Sequence, residues 1–529
     1  MVILRRKRSG LKRGMSVMPI DLQSFAGLYE KFFAIDLTGV VDGVHPPLKS
    51  VNNVRAATAK GAPLLPLVYR QDFHQPLDAA LPSEMSKLQH QVKSGEQPAE
   101  YMQTALEMLY GAVYQHGPKV SRVDASAQLR RFLAIVSNLY RSFLDSDKRS
   151  AAGVKLVTNT PPLAVFLSGS LQGPYTVESD EMLKRFGTPI GVVSLPASYR
   201  DHPVVWAALS HEVCGHDVVH ADEGLLPELV ETVRSALAPH FSLRKPLDTA
   251  SLNALLWSYW MDEAVADVYG ILNMGPLFPL NLGAFLAAFR AHLQRRPHPG
   301  SPLLSTDAQK RPDGIMDDHP IDLLRLHLAI GAIESLHDLS PVHRDAYVKS
   351  IEDVAAAFAG DATHIGLDGQ VATASGNPVA VKTEMPLSDA TAAARRVGEI
   401  IATSKLRALQ GRSIQNIETW DDHDEEIAQA IAETIAARQG IVGHGDDAQL
   451  LAGTTLAVLR KPALYDAAQD ALNAALDDSY RKDPLWGALI PHHAFHPHVL
   501  ERPQGKPKLA AARAKKPSRK TEPRGRGKR

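Results

Sequence analysis

Apolar residues recur at helical spacing through most of the chain, and two short β-rich runs interrupt this pattern before its middle. Leu106, Leu109 and Val113 show the three- and four-residue spacing of an amphipathic helix. The runs at 163–167 and 190–195 are rich in Val, Leu and Ile and are bounded by Gly and Pro, which is typical of strands with at least one covered face. We therefore expect an α+β fold that is predominantly α-helical and contains a small sheet.

The composition excludes several classes of protein. The 529 residues include one cysteine, Cys214, so the chain cannot form an intramolecular disulfide, a thiolate zinc cage or a cysteine-ligated iron–sulfur cluster. No apolar run reaches the ~18 residues that a membrane span needs. No apolar segment of a signal peptide follows the basic residues 5–8. We therefore expect a cytoplasmic protein with no membrane partner.

Histidines and acids are concentrated in residues 210–223, where the pattern predicts a helix. His211 and His216 flank Glu212 in the arrangement HExxGH. A zinc hydrolase needs two neutral imidazoles, a third ligand and an open position for water. It also needs a carboxylate that takes a proton from that water without binding the metal. The two histidines are therefore candidate ligands, and Glu212 is the candidate base.

A second acidic motif follows about fifty residues later. Glu263 and Asp267 are four residues apart on a helix predicted over 249–271, so they share one face. That face offers Glu263 to a metal and Asp267 to the far nitrogen of a ligand histidine, where a carboxylate fixes the tautomer. The helix is otherwise apolar, and buried carboxylates in it need a compensating partner such as a metal.

The five-residue interval between the first two histidines does not suit a regular α-helix, which would place them about 140° apart. One extra residue accommodated as a π-bulge restores convergence, and Gly215 is a permissive position for it. A second register needs no bulge, because His216 and His220 are four residues apart, with Asp217 as the base and Glu263 as third ligand. The sequence leaves both registers open, although the shorter Asp217 reaches water less readily.

The HExxGH segment, followed by MDEAVAD at 261–267, resembles the dipeptidyl-peptidase III family of zinc metallopeptidases and, more broadly, the gluzincins. The resemblance covers roughly residues 190–270. It implies a zincin-like core, one Zn²⁺ held by His211, His216 and Glu263, the base Glu212, and a peptide or protein substrate. It also implies that the strand at 190–195 pairs with an extended peptide. The resemblance is too short to carry over the exopeptidase specificity of that family.

Other polar residues near the motifs have two interpretations each. In the bulged register we expect Asp217 and His220, with Asp267, to support the ligands from outside. His319 precedes a predicted helix, where it either stabilises an oxyanion or is an ordinary capping residue. Arg325 is expected either to meet a substrate carboxylate or to pair with an aspartate of its own helix.

These patterns divide the chain into five regions. The predicted regions are a flexible basic N-terminus at 1–18, an N-terminal helical region at 19–155, a zincin-like metal-binding catalytic domain at 156–345, a C-terminal helical region with one hairpin at 346–500, and a disordered basic tail at 501–529. The tail holds twelve Lys/Arg and two acids. Its phosphate contacts favour weak nucleic-acid binding, but it has no aromatic residue to stack on bases.

A zinc-dependent peptidase is the function that these motifs favour. Two other classes stay open: a noncatalytic protein in which zinc orders the fold, and a metal-free helical interaction protein. The last would show a regular helix at 211–216 with diverging histidines. The ligand set also suits Mn²⁺, Co²⁺ or Fe²⁺.

Overall fold

A computed structural model of the chain describes residues 20–487, except for short segments at 38, 40, 42–43, 95–98, 118–124, 147–148, 150–155, 169–172, 245, 297, 299–303 and 374–376. The described part is predominantly helical and contains a three-stranded sheet and a two-stranded sheet. The predicted predominance of helices with a small sheet is confirmed. The predictions for 1–18 and for the tail at 501–529 lie outside the described residues.

In the sequence, helices come both before and after the strands of the larger sheet. Those before it are Leu22–Phe33, Val51–Thr58, Gln75–Ser94, Ala99–Tyr114 and Ala125–Leu144. Those after it are Leu225–Leu237, Thr249–Tyr259, Met261–Met274, Leu277–Leu293, Asp322–Glu334, Pro341–Ala359, Leu387–Thr403, Asp422–Ala436, Asp447–Arg460 and Tyr465–Lys482. The short helix Ser179–Phe186 lies within the sheet region.

The larger sheet has the order β1-β3-β2, with β1 at Leu163–Leu167, β2 at Tyr175–Val177 and β3 at Val192–Pro196. Strand β3 pairs in parallel with β1 and antiparallel with β2. Both of its edges are therefore occupied, and the expectation that this strand pairs with a peptide is wrong. Its nearly continuous apolar run reflects burial in the middle of the sheet.

The helix predicted over 249–271 is divided in two. Thr249–Tyr259 ends at Trp260, whose backbone leaves the helical region with φ −85° and ψ 11°, and Met261–Met274 begins directly after it. The Trp260 indole N–H donates to the Asp317 carbonyl at 3.1 Å. The apolar periodicity did not predict this break, and no Pro or Gly in the sequence marks it. The break places Glu263 in the first turn of a new helix, named here the acidic helix.

The predicted hairpin is confirmed and includes more residues than expected. Strand β4, His364–Val371, pairs antiparallel with β5, Val379–Pro386. A loop at 304–320 is attached to β4, because the Met316 amide donates to the Gln370 carbonyl at 2.9 Å. The hairpin thereby supports a loop that borders the site described below.

Buried apolar residues from Ile20 to Trp486 form one continuous cluster. The N-terminal, central and C-terminal regions therefore share a core. In the described part of the chain, no helix is both long enough and apolar enough to cross a membrane.

Candidate metal centre

The helix that carries the HExxGH motif contains the bulge that its spacing requires. A 3₁₀ segment at Pro203–Ala208 leads into one α-helical turn at Leu209–His211. Residues Glu212–Asp217 are π-helical, and Val218–Ala221 return to α-helix. We call residues 209–221 the metal-site helix. The predicted π-bulge is confirmed, and its consequence is that the two histidines converge.

Gly215 allows the metal-site helix to approach the acidic helix closely. A Cβ atom at Gly215 would lie 2.2 Å from the Cβ atom of Ala266 and 2.3 Å from its Cα atom. Real Cβ atoms do not approach backbone at such distances. Glycine is therefore required by the packing of the two helices, and this contact brings Glu263 to the histidines.

Replacing Gly215 by alanine should force the two helices apart. We expect a loss of about 1–3 kcal/mol in the free energy of unfolding, as for other insertions into a packed contact. We also expect weaker metal binding, because the candidate donor atoms lie on separate helices. Thermal melting and calorimetric zinc titration measure these effects. Gly283→Ala is the matched control, since its nearest heavy atom would lie at an ordinary 3.5 Å; equal behaviour of the two variants would contradict the packing role.

Potential ligand atoms of three residues meet between the two helices. The Nε2 atoms of His211 and His216 are 3.2 Å apart. Glu263 places Oε2 3.0 Å from the His211 Nε2 atom and Oε1 3.5 Å from the His216 Nε2 atom. The Oε2 atom is buried without a hydrogen-bond partner among the described residues. The geometry is compatible with a metal ion.

The tautomers implied by the surrounding carboxylates make the case for a cation stronger. His211 Nδ1 lies 2.9 Å from Asp267 Oδ1, and His216 Nδ1 lies 3.2 Å from Asp262 Oδ1. A proton on each Nδ1 atom leaves both Nε2 atoms as acceptors. With these tautomers, two imidazole lone pairs and a carboxylate face one another, an arrangement that is compatible with a bound cation.

Asp267 supports His211 as predicted, and Arg325 completes that support. The Arg325 guanidinium donates to both carboxylate oxygens of Asp267 at 2.7 Å. Burial opposes ionisation of Asp267, but Arg325 and His211 outweigh it and lower the pKa of the carboxyl group. The expectation that Arg325 pairs with an aspartate of its own helix is wrong, because its bidentate partner lies on the acidic helix. Contact of Arg325 with a substrate carboxylate stays a prediction.

Asp262 supports His216 in the way that Asp267 supports His211, and His220 in turn supports Asp262. His220 Nε2 lies 3.2 Å from Asp262 Oδ2, and His220 Nδ1 lies 3.2 Å from Asp180 Oδ1. Burial opposes protonation of His220, but the two aspartates raise its pKa to about 10. The predicted supporting role of His220 is therefore indirect, through Asp262.

The second register, with His220 as a ligand and Asp217 as the base, is not assembled. Three donor atoms meet at His211, His216 and Glu263, whereas no comparable group in the described chain includes His220. Asp217 is fully buried and does not line the cleft. Burial raises the pKa of its carboxyl group to about 8. In the structure, the Asp217 side chain makes no contact with the candidate ligands that it was expected to support.

The three donor atoms lie in a cleft of about 820 Å³. Glu212 lines this cleft, and the Thr176 hydroxyl donates to its Oε2 atom at 2.9 Å. Thr176 belongs to β2, the strand at the edge of the sheet. The cleft is also lined by an apolar stripe of the helix Leu277–Leu293, formed by Leu282, Phe285, Leu286 and Phe289.

His319 lies at the rim of the same cleft. Its Nε2 atom is 3.4 Å from Glu263 Oε1, and its Nδ1 atom is 2.6 Å from Asp317 Oδ1. Its side chain is 53% exposed. Partial desolvation in the cleft opposes protonation, but Glu263 and Asp317 hold the pKa of His319 well above its ordinary value. The position is therefore open to a bound molecule and close to the donor atoms.

Two contacts of the site were not predicted from the sequence, namely Asp262 with His216 and Thr176 with Glu212. The position of Asp262 directly before Glu263 was a usable signal, because adjacent residues at a helix start lie close enough to serve two histidines. Thr176 had no signal, since its contact with Glu212 depends on how β2 packs on the metal-site helix.

Comparison of the chain with protein families, curated proteins and solved structures finds no match. The contacts of His211, His216, Glu263 and Glu212 are therefore the basis on which a function is proposed below.

Proposed function

We propose that this protein is a zinc-dependent hydrolase that cleaves peptide bonds. The observation that carries the proposal is the convergence of His211, His216 and Glu263 in an open cleft beside Glu212. A tetrahedral zinc ion with bonds of about 2.0–2.1 Å separates neighbouring ligand atoms by about 3.3 Å. The two Nε2 atoms are 3.2 Å apart, which is close to that value, and each of them has one of the two Glu263 oxygens nearby, Oε2 at 3.0 Å from His211 and Oε1 at 3.5 Å from His216.

The surroundings of the donor atoms favour a catalytic site over a structural one. Structural zinc sites are closed by four protein ligands, whereas catalytic sites keep a position for water or substrate. Here three ligands face a cleft whose volume suits a small molecule or a short peptide.

Each residue around the cleft then has a task in hydrolysis. When bound, zinc supplies Lewis acidity, which lowers the pKa of water to about 7. Glu212 accepts the proton of the attacking water and transfers it to the leaving amine. Thr176 holds one oxygen of that carboxylate and so leaves the other available for the proton. His319 donates from Nε2 to the oxyanion that forms on the substrate carbonyl.

A peptide is the substrate that two features favour. The HExxGH and MDEAVAD motifs resemble those of zinc peptidases. The apolar stripe that includes Phe285 and Phe289 offers a surface for a large apolar side chain. Amides that lack such a side chain would lose this contact.

The proposal is tested by incubating the zinc-loaded protein with a library of short peptides and reading the products by mass spectrometry. Cleavage is expected with zinc, loss of cleavage after treatment with a chelator, and recovery after zinc is restored. Stoichiometric zinc without any cleavage would favour the noncatalytic zinc-stabilised protein instead. A protein that folds normally and never binds metal would favour a helical interaction protein.

A further inference from the structure

Two side chains at the break before the acidic helix hold the loop at 304–320. The Tyr259 hydroxyl donates to the Met316 carbonyl at 2.6 Å. The indole N–H of Trp260, the residue after Tyr259, donates to the Asp317 carbonyl at 3.1 Å. Two consecutive residues of the break therefore bind two consecutive carbonyl groups of the loop.

The same loop carries His319, and Asp317 connects that histidine to the backbone that is held. Asp317 Oδ1 accepts a hydrogen bond from the His319 backbone N–H at 2.9 Å and lies 2.6 Å from the His319 Nδ1 atom. An aspartate that binds the backbone N–H two residues further on forms an Asx turn, which restricts the local backbone. The His319 side chain is 53% exposed, so packing alone does not fix it. A series of hydrogen bonds thus leads from Trp260 through Asp317 to the imidazole.

The residues directly after the break belong to the metal centre. Asp262 supports His216, and Glu263 is the candidate carboxylate ligand. Glu263 Oε1 also lies 3.4 Å from the His319 Nε2 atom. The break at Trp260 therefore fixes both sides of this contact, because it starts the acidic helix and binds the loop that carries His319.

The hairpin holds an earlier part of the loop. The Met316 amide donates to the Gln370 carbonyl at 2.9 Å, and the Gln370 amide donates to the Gly314 carbonyl at 3.0 Å. Both contacts precede Asp317 in the sequence. The hydrogen bond from Trp260 reaches Asp317 itself, so it is the contact that relates His319 to the acidic helix.

We infer that Tyr259 and Trp260 are positioning residues that set the distance between His319 and the metal centre. This inference rests on the proposed function, in which His319 donates to the oxyanion. Such a donor must lie about 2.7–3.1 Å from the oxyanion, and a misplacement of about 1 Å in an active site costs about 10²-fold in rate. Hydrogen bonds to two adjacent loop carbonyls supply the required precision.

Tyr259→Phe tests this role, because it removes the hydroxyl donor and keeps the ring. We expect kcat to fall about tenfold with KM nearly unchanged, since a displaced His319 weakens binding of the transition state rather than of the substrate. A phosphinic peptide, whose phosphorus oxygens imitate the oxyanion, should bind about tenfold more weakly to the zinc-loaded variant in calorimetry. In the metal-free variant, hydrogen exchange of the loop at 304–320 should become faster.

Further variants separate positioning from a general loss of structure. Tyr69→Phe is the matched control, because it removes a hydroxyl that donates to the Pro161 carbonyl at 2.9 Å, and neither residue lines the cleft. It should leave kcat unchanged. In the His319→Ala protein, adding Tyr259→Phe should lower kcat no further, because the positioned group is gone. Trp260→Phe removes the indole donor and should likewise lower kcat only when His319 is present.

Three results would overturn the inference and leave the proposed function in place. The first is an unchanged kcat in the Tyr259→Phe protein. The second is an equal fall in kcat with and without His319, which would show that Tyr259 acts by another route. The third is a zinc affinity that falls together with kcat in Tyr259→Phe, which would assign the hydroxyl to support of the metal. If the wild-type protein cleaves no peptide, the proposed function fails and this inference fails with it.

Discussion

Replacing Glu212 by glutamine should abolish peptide hydrolysis while leaving the zinc content unchanged. Glutamine keeps the shape of the side chain and can still accept the hydrogen bond from Thr176, which joins Glu212 Oε2 at 2.9 Å. It cannot accept a proton from water. Loss of a general base is expected to lower kcat by about 10²–10⁴-fold. Peptide turnover and elemental analysis of the same sample measure the two quantities together.

Glu223→Gln provides the control for this variant. Glu223 is exposed and follows the metal-site helix, so the same chemical change there should leave kcat unaltered. Full peptidase activity in the Glu212→Gln protein would contradict the assignment of Glu212 as the base. Loss of zinc from that protein would instead place Glu212 among the ligands.

Replacing Glu263 by alanine should remove the metal. Glu263 is the carboxylate ligand, and its Oε2 atom lies 3.0 Å from the His211 Nε2 atom. Loss of an outer partner alone costs roughly 10- to 100-fold in metal affinity, so loss of a ligand should cost more than about 100-fold. Zinc affinity is measured by competition with a chelator of known affinity, and peptidase activity should fall with zinc occupancy.

Glu433→Ala is a matched change at an exposed position of the helix Asp422–Ala436. It should retain wild-type zinc affinity. A Glu263→Ala protein that stays fully loaded would remove Glu263 from the ligand set. In that case the unpartnered Oε2 atom would need another explanation.

The geometry of the two histidines could be predicted because helical phase is local. A five-residue interval leaves the imidazoles about 140° apart on a regular α-helix, so convergence demanded one extra residue in the turn. The structure contains that residue within the π-helical segment Glu212–Asp217. Asp267 was predictable for the same reason, since it lies one turn beyond Glu263 on the same face.

Other parts of the site depend on packing between distant segments and could not be predicted. The break at Trp260 has no Pro or Gly signal and coincides with a hydrogen bond to the loop at 304–320. The order of the sheet, with β3 in the centre, follows from pairings across long connections. The bidentate contact of Arg325 with Asp267 joins residues 58 positions apart.

The metal content of the purified, tag-free protein tests the central claim most directly. The protein would be dialysed against a weak chelator and analysed by elemental mass spectrometry. The three convergent donor atoms of His211, His216 and Glu263 predict about one zinc ion per chain. A normally folded protein that holds no metal and does not take zinc back would contradict the proposed zinc hydrolase.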